Sequence, residues 1–282
     1  MLFLMRSTNP ANKKVALVTG ASSGLGKAFA GALLDEGLSV YAAARRLELM
    51  ADLATRGATP IKMDITREDE VAAAVQRIER EQGGVDVLIN NAGFGMFGAM
   101  EDTTIDDARY QFEVNLFGLA RLTQLLLPSM RNKRAGKIIN ISSMGGKIYT
   151  PLGSWYHASK HAVEGWSDCL RLELSPFNID VVVIEPGVIA TEFGDVMTAP
   201  MLQRSGSGPY RTMADAVAAG VKAFETRGAS HPQVIVDLVL KCVRARKPKT
   251  RYAGGKYAKP MMFIRKWFGD RVFDRIVLAA IK

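Results

Sequence analysis

Residues 19–26 read Thr19-Gly20-Ala21-Ser22-Ser23-Gly24-Leu25-Gly26, and they follow directly on the apolar run Val15-Ala16-Leu17-Val18. Three glycines between a strand-like run and a helix-like stretch have a physical meaning. Glycine permits the tight turn, lets backbone approach an anion closely, and lets the helix pack against the strand. A helix that starts here aims free N–H groups and the positive end of its dipole into the turn. The stretch therefore reads as a pyrophosphate cradle, with Gly20, Ser22, Ser23, Gly24, Leu25 and Gly26 as the expected contacts. The glycines alone are a weak signal; the strand before them and the helix after them give the reading its weight.

Working outward, apolar runs recur at Ser39–Ala44, Ala58–Met63, Val85–Asn90, Lys137–Ser142 and Asp180–Glu185. Several are nearly continuous in apolar type, as strands covered on both faces must be. Between them, stretches such as Gly26–Glu36 and Glu68–Glu81 carry apolar residues at helical spacing. Strict alternation of strand and helix predicts an α/β fold: one doubly wound parallel sheet with helices on both faces. After Pro186 the pattern loosens, and residues 188–213, rich in Gly, Pro and Met, read as a loop over a substrate. Helix-like segments follow at Met213–Arg227 and His231–Arg244. In Met261–Lys282, Ile264, Phe268, Val272 and Ile276 share one helical face, and Arg265, Lys266, Asp270, Arg271, Asp274 and Arg275 the other. The expected organisation is a flexible tail over 1–14, a single domain over 15–250, and a basic amphipathic helical extension over 251–282.

The bulk composition agrees with a globular chain: 282 residues, 48% hydrophobic and 23% charged. The net charge of +9 is unevenly placed. From Lys241 to Lys282 there are 13 Lys and Arg against two Asp, or +11, which leaves 24 basic and 26 acidic groups, or −2, elsewhere. Such a tail favours an anionic partner. Two readings of 261–282 stay open: peripheral contact with a membrane surface, or packing on the body or a second subunit. Nucleic acid is not expected, since no recognition motif accompanies the charge. Cys169 and Cys242 have neither zinc nor disulfide spacing and are expected to be buried thiols, which fits a reducing, cytoplasmic setting. His157, His161 and His231 form no ligand set, so no metal is expected. The apolar start Met1–Met5 is too short for a signal core.

Two features carry chemistry. The second strand ends in Arg45-Arg46, where dinucleotide folds that hold a free ribose 2′-hydroxyl carry an acidic residue. Arginine there suits a 2′-phosphate through forked, charge-assisted hydrogen bonds, so NADP(H) is expected over NAD(H). Further on, Tyr156-His157-Ala158-Ser159-Lys160 sets a phenol and an ammonium one helical turn apart. A phenol with a pKa near about 10 cycles poorly at neutrality, and a nearby cation lowers it. Upstream, Ile141-Ser142-Ser143 ends the fifth strand, on the side where open α/β sheets bind ligands. Phe94, Met96, Phe97, Met144, Trp155, Phe193, Met197 and Met201 are expected around the same mouth, as an apolar pocket or as ordinary core.

In this order and register, from about 15 to 191, the motifs resemble those of classical short-chain dehydrogenases/reductases, in particular the hydroxysteroid and retinol dehydrogenase branches. Thr-Gly-x-x-x-Gly-x-Gly is that family's form of the cradle. The resemblance implies a Rossmann-type oxidoreductase that interconverts a carbonyl and an alcohol. It implies Tyr156 as general acid and base, Lys160 as its electrostatic partner and ribose contact, and Ser143, 13 residues before Tyr156, as the serine that orients the substrate oxygen. It implies that Asn115 supports a proton relay to Lys160. It sets Asp64 and Ile65 near the adenine, and Asn91, Ala92 and Gly93 along the cofactor. The turn Pro186-Gly187-Val188 and Thr191 are set near the nicotinamide. Ser23 stands where some NADP-dependent relatives carry a second basic residue, and Ser22 or Ser23 offers a hydroxyl there instead. The family also often forms homodimers or homotetramers through helices here at about 104–131 and 155–176. A small apolar carbonyl or alcohol of steroid, retinoid or lipid type is the expected substrate. The rival reading is an NADP(H)-binding scaffold that docks a partner or membrane through the basic tail.

Overall fold

The structure is a computed structural model that describes residues 13–226 and 228–281. Its centre is a seven-stranded sheet, every pair parallel, in the order β3-β2-β1-β4-β5-β6-β7. The strands are β1 Val15–Thr19, β2 Ser39–Ala44, β3 Thr59–Lys62, β4 Val87–Asn90, β5 Gly136–Ile141, β6 Ile179–Pro186 and β7 Arg251–Gly254. The helices that matter for the site are α1 Gly24–Asp35, α2 Ala51–Thr55, α3 Glu68–Gln82, α4 Ile105–Phe112, α5 Gly118–Lys133 and α6 Ser154–Leu174. After β6 come α7 Phe193–Ser205, α8 Arg211–Thr226, α9 Gln233–Arg244 and α10 Ala258–Ala279.

The two-residue period of a strand assigns alternate residues to the two faces. Ala16 and Val18 of β1 join Phe29, Leu33, Met50 and the apolar side of α9 in one core. Leu17, between them, joins Ile78 of α3 and Leu122 and Leu126 of α5 in the other. Strands covered on both sides explain the near-continuous apolar runs of the sequence. A buried polar seam crosses the second core. Asn90 donates to Asn140 at 2.9 Å and to Thr123 at 3.1 Å, and Asn140 donates to Ser167 at 2.9 Å. It fixes α5 and α6 against β4 and β5. The chain order reverses between β1 and β4, the place where such sheets open a ligand crevice.

Four expectations need amendment, and a fifth falls largely outside the described residues. Of the N-terminal tail expected over 1–14, residues 1–12 lie outside the described residues. Residues 251–254, expected to begin the extension, form β7 and pair with β6 from Val183↔Arg251 to Pro186↔Gly254, so the sheet continues past residue 250. The run is too short and too polar at its start to read as a strand. The loop expected over 188–213 contains α7, which buries Met197 and Met201. Its apolar residues do not keep a helical period and Pro200 sits inside it, so the sequence carries no helix signal there. In α10 the apolar face read from the sequence is not the one buried beyond Gly269. Gly269 takes φ 74° and ψ −178°, which breaks the helix and resets its phase; Phe273 and Val277 are buried, while Phe268, Val272 and Ile276 stay exposed. Cys242 is buried as expected, but Cys169 is exposed, on a side of α6 that faces away from the core. Among the described residues no helix is long and apolar enough to cross a membrane.

Candidate active site

At the end of β1 the cradle is built as glycine requires. Gly20 has φ +67°, and a Cβ there would come 2.9 Å from Asn91 Nδ2 and 3.0 Å from Ala92 Cα. Gly24 also has positive φ, and a side chain at Gly26 would collide with the Gly20 carbonyl. Ser23 caps α1 with extended backbone and without a side-chain bond to the helix amides, which leaves the first amides of the helix available to an anion. A would-be Cβ on Gly24 meets only Thr191, at 3.9 Å, so the turn after β6 arches over the cradle. These are the features a dinucleotide pyrophosphate needs, and the residues fit the group.

Asn91 works inside the cradle wall. Its side-chain amide donates to the Thr19 carbonyl at 2.9 Å, while Thr19 Oγ1 accepts from the Asn91 and Ala92 amides at 3.0 and 2.9 Å. The two arginines after β2 diverge. Arg46 donates to Ser23 Oγ at 3.1 Å and Ser22 Oγ at 3.4 Å, which carries its guanidinium to the cradle rim. Arg45 turns to the Tyr110 hydroxyl at 3.3 Å. After β3, Asp64 accepts from the amide and hydroxyl of Thr66 at 3.0 and 2.9 Å, and Ile65 packs against Gly118 at the start of α5. The residue that caps α3 is Arg67, so Asp64 organises its own turn rather than the helix.

The catalytic candidates meet at the C-terminal ends of β4 and β5. Tyr156 and Lys160 lie in the first two turns of α6, both buried. Ser143 follows β5, accepts from the Gly145 amide at 3.0 Å, and lies beside the Tyr156 hydroxyl. Ser142 is buried behind it with its hydroxyl unpartnered. Lys160 donates to the Ile141 carbonyl at 2.9 Å. Burial raises the Tyr156 phenol above its ordinary value, and Ser143 offsets this in part. Burial also lowers Lys160 to about 8, against an opposing pull from Glu164. The lowering of the phenol expected from Lys160 is not what the site produces: burial raises Tyr156 and lowers Lys160, and both groups are held toward their neutral forms.

Asn115 sits in a single π turn, Glu113–Phe117, between α4 and α5. Such turns often mark functional positions. Its side chain is fully engaged: Oδ1 accepts from the Phe94 amide at 3.1 Å, and Nδ2 donates to Phe94 O at 3.1 Å and Ser159 Oγ at 3.0 Å. Gly93 lies between it and the lysine, since a Cβ there would be 3.1 Å from Asn115 Oδ1 and 3.7 Å from Lys160 Nζ. Pro186 ends β6, and Gly187 donates to the Gly254 carbonyl at 2.8 Å and Val188 to the Lys256 carbonyl at 2.9 Å, so β7 holds this turn in place.

Of the apolar residues expected at the mouth, Phe97, Met197 and Met201 join Tyr156 in one cluster with Leu152 and α8. Phe97 and Phe193 stand with ring centroids 5.4 and 5.7 Å from the Tyr156 ring. Met144 belongs instead to a cluster with Tyr149 and Phe273 of α10, and Trp155 turns to Phe112. Two positioning groups were not picked out in the sequence. His157 Nε2 accepts from the Thr150 amide at 3.1 Å, so its Nδ1 proton goes to the Gly145 carbonyl at 2.9 Å; it pins the turn that carries Ser143. Gln111, fully buried, bonds Met96 N and Phe94 O at 2.7 and 2.9 Å. Its one available signal was its place one helical turn before Asn115.

A family model described as short chain dehydrogenase matches residues 14–201. A protein of Bacteroides thetaiotaomicron named 3-ketodihydrosphingosine reductase is 36% identical over 267 residues, 93% of this chain and 95% of the relative. Among solved structures, the closed form of serine dehydrogenase complexed with NADP+ superposes with a TM-score of 0.75 over 86% of this chain and 94% of its own. At 24% identity that likeness speaks to the fold. A short chain dehydrogenase/reductase from Burkholderia phymatum in complex with NAD gives 0.74 at 25% identity, over 86% and 90%.

Proposed function

The chain belongs to the short-chain dehydrogenase family of oxidoreductases, and from that footing we propose an NADP(H)-dependent enzyme that interconverts an apolar carbonyl and its alcohol. The observation that carries the reading is the Tyr156 hydroxyl. It is buried, beside Ser143, one turn before Lys160, and walled by Phe97, Phe193 and Met197. Bound NADP(H) would supply or accept the hydride. Gly20, Ser22, Ser23, Gly24, Leu25 and Gly26 would hold its pyrophosphate, and Arg46 with Arg45 its 2′-phosphate. Asp64 and Ile65 would flank the adenine, with Asn91, Ala92, Gly93, Pro186, Gly187, Val188 and Thr191 along the nicotinamide side.

The protein's own groups then divide the proton work. Tyr156, kept neutral by burial, donates its proton to the substrate oxygen as charge develops there. Ser143 gives that oxygen a second hydrogen bond and orients it. Lys160 stabilises the phenolate left behind and holds the ribose; a value of about 8 lets it pass a proton close to neutrality. Asn115 holds the Phe94 loop, and the missing side chain at Gly93 keeps the way from Asn115 to Lys160 open for a relay. Oxidation of the alcohol runs the same steps in reverse.

The apolar walls favour a lipophilic substrate, because they offer no charged clamp for a sugar or a short oxoacid. The name of the Bacteroides relative makes a long-chain lipid ketone the first class to try. The test is NADPH consumption with a panel of lipophilic ketones and aldehydes, run beside NADH and beside Tyr156→Phe. Turnover with NADPH, weak turnover with NADH, and a loss of about 10²-fold or more in Tyr156→Phe are expected. Full activity in Tyr156→Phe refutes the mechanism, and NADPH binding without turnover on any substrate moves weight to the scaffold reading.

A further inference from the structure

One turn beyond Lys160, α6 carries Glu164, whose side chain is 4% exposed. An ionised carboxylate so deeply buried is costly unless it is paired. Here a single oxygen, Oε2, takes two cations: Lys147 Nζ at 3.0 Å and Arg251 Nε at 3.0 Å. Lys147 closes the short turn that Ser143 begins, and Arg251 opens β7. Arg251 also grips Asp168 at 2.7 Å and reaches Glu185 at 3.5 Å, in the residue just before the Pro186-Gly187 turn. The backbone between these groups is packed tight. A Cβ on Gly146 would stand 2.9 Å from Glu164 Cγ, 2.8 Å from Ser142 Oγ and 3.0 Å from the Lys160 carbonyl. One buried carboxylate thus joins the serine turn, the catalytic helix and the last strand.

We propose that Glu164 is a positioning residue of the active site: through Lys147 and Arg251 it ties the Ser143 turn and β7 to α6, and it sets its carboxylate one helical turn from Lys160. This rests on the reading of Ser143 and Lys160 given above. The charged groups around Glu164 come from every element that meets it. They are Lys147 from the serine turn, Lys160 and Asp168 from its own helix, Glu185 from β6 and Arg251 from β7. Burial drives Lys160 toward the neutral amine, and Glu164 is the group that opposes it. Removing the carboxylate charge therefore moves the lysine titration to lower pH.

The closing experiment reads Lys160 directly and needs no substrate. The 13Cε resonance of Lys160 in lysine-labelled protein, assigned by its loss in Lys160→Met, is titrated in the parent, Glu164→Gln and Glu164→Asp. The midpoint is expected to fall by about one pH unit in Glu164→Gln and to stay near the parent's in Glu164→Asp, which keeps the charge but shortens the arm. A purely packing role predicts the reverse, since glutamine is the isostere, and an unmoved midpoint in Glu164→Gln overturns the proposal. Should Glu164→Gln fail to fold, Lys147→Gln at the outer end of the network tests the tether. A several-fold drop in kcat with KM for NADPH unchanged is expected, and parental kcat overturns the tether. Inactivity of the parent on every carbonyl would count against the assigned function while leaving the titration result intact.

Discussion

Arg46 and Glu185 show how much a single side chain decides. Arg46 leaves the end of β2 and reaches both cradle serines, whereas its neighbour Arg45 faces Tyr110. A charge-assisted contact to a 2′-phosphate contributes about 1.5–3 kcal/mol. Arg46→Ala should therefore raise the Kd for NADPH by about 10- to 100-fold and leave that for NADH unchanged, as read by nicotinamide fluorescence; Arg45→Ala should matter less. Glu185 is buried beside Glu164, and burial together with that neighbour pushes its carboxyl up to about 7. The folded state thus binds its proton more tightly than the unfolded chain, whose value is near 4.5. Stability falls as pH rises from about 4.5 to about 7 and is flat beyond. Glu185→Gln should accordingly be more thermostable than the parent at pH 8, by up to about 3 kcal/mol, with the difference gone at pH 4.5. An equal difference at both pH values would show that the charge plays no part.

At the scale of elements, α10 stands apart. Its second half is clamped to the serine turn: Phe273 packs on Tyr149 at 5.1 Å, and the Tyr149 hydroxyl donates to Asp274 at 2.9 Å. Its first half leaves Phe263, Trp267 and Phe268 exposed, Trp267 by 66%, with Lys266 5.3 Å from the Trp267 ring and Lys259, Arg271 and Arg275 on the same helix. Aromatic rings edged by cations suit the interface of an anionic bilayer, and we propose that α10 makes such a contact. Co-sedimentation with phosphatidylserine vesicles should be reduced in Trp267→Ala/Phe268→Ala and weaken at high salt. Binding equal to the parent's in both conditions would assign these rings to a protein surface instead. Point variants are the right probe, because truncation after Arg251 would also remove most of β7.

For the molecule as a whole, the candidate groups gather at the C-terminal edge of one sheet, but helices α4, α5 and α6 present an outer surface that one chain does not cover. Phe117 and Leu172 are exposed on it, by 54% and 66%. We propose that a second copy covers this surface, as the family's homodimers and homotetramers imply. Light scattering should give a multiple of the chain mass for the parent and a single chain for Leu172→Glu; an unchanged mass in the variant would move the interface elsewhere. Of these helices α6 also carries Tyr156 and Lys160, both buried, so on this proposal one helix would serve both assembly and catalysis.

What the sequence alone determined is local in origin. Glycines at 20, 24 and 26 work through their own backbone freedom, and the apolar runs of β1, β2, β5 and β6 follow from burial on both faces. Tyr156 and Lys160 share a helix turn whatever surrounds them. The cradle, the α/β class, the strand order in the chain and the phenol–ammonium pair were legible for that reason. Tertiary structure decided what depends on groups distant in the chain. β7 is a strand because β6 offers it an edge, and α7 is a helix because Met197 and Met201 find a core. Gly269 turned the amphipathic face of α10 by a backbone angle that no spacing records. The charge states of Tyr156 and Lys160 are set by burial, and Glu164 acquires its part only where Lys147 and Arg251, 17 residues before it and 87 after, converge on one oxygen.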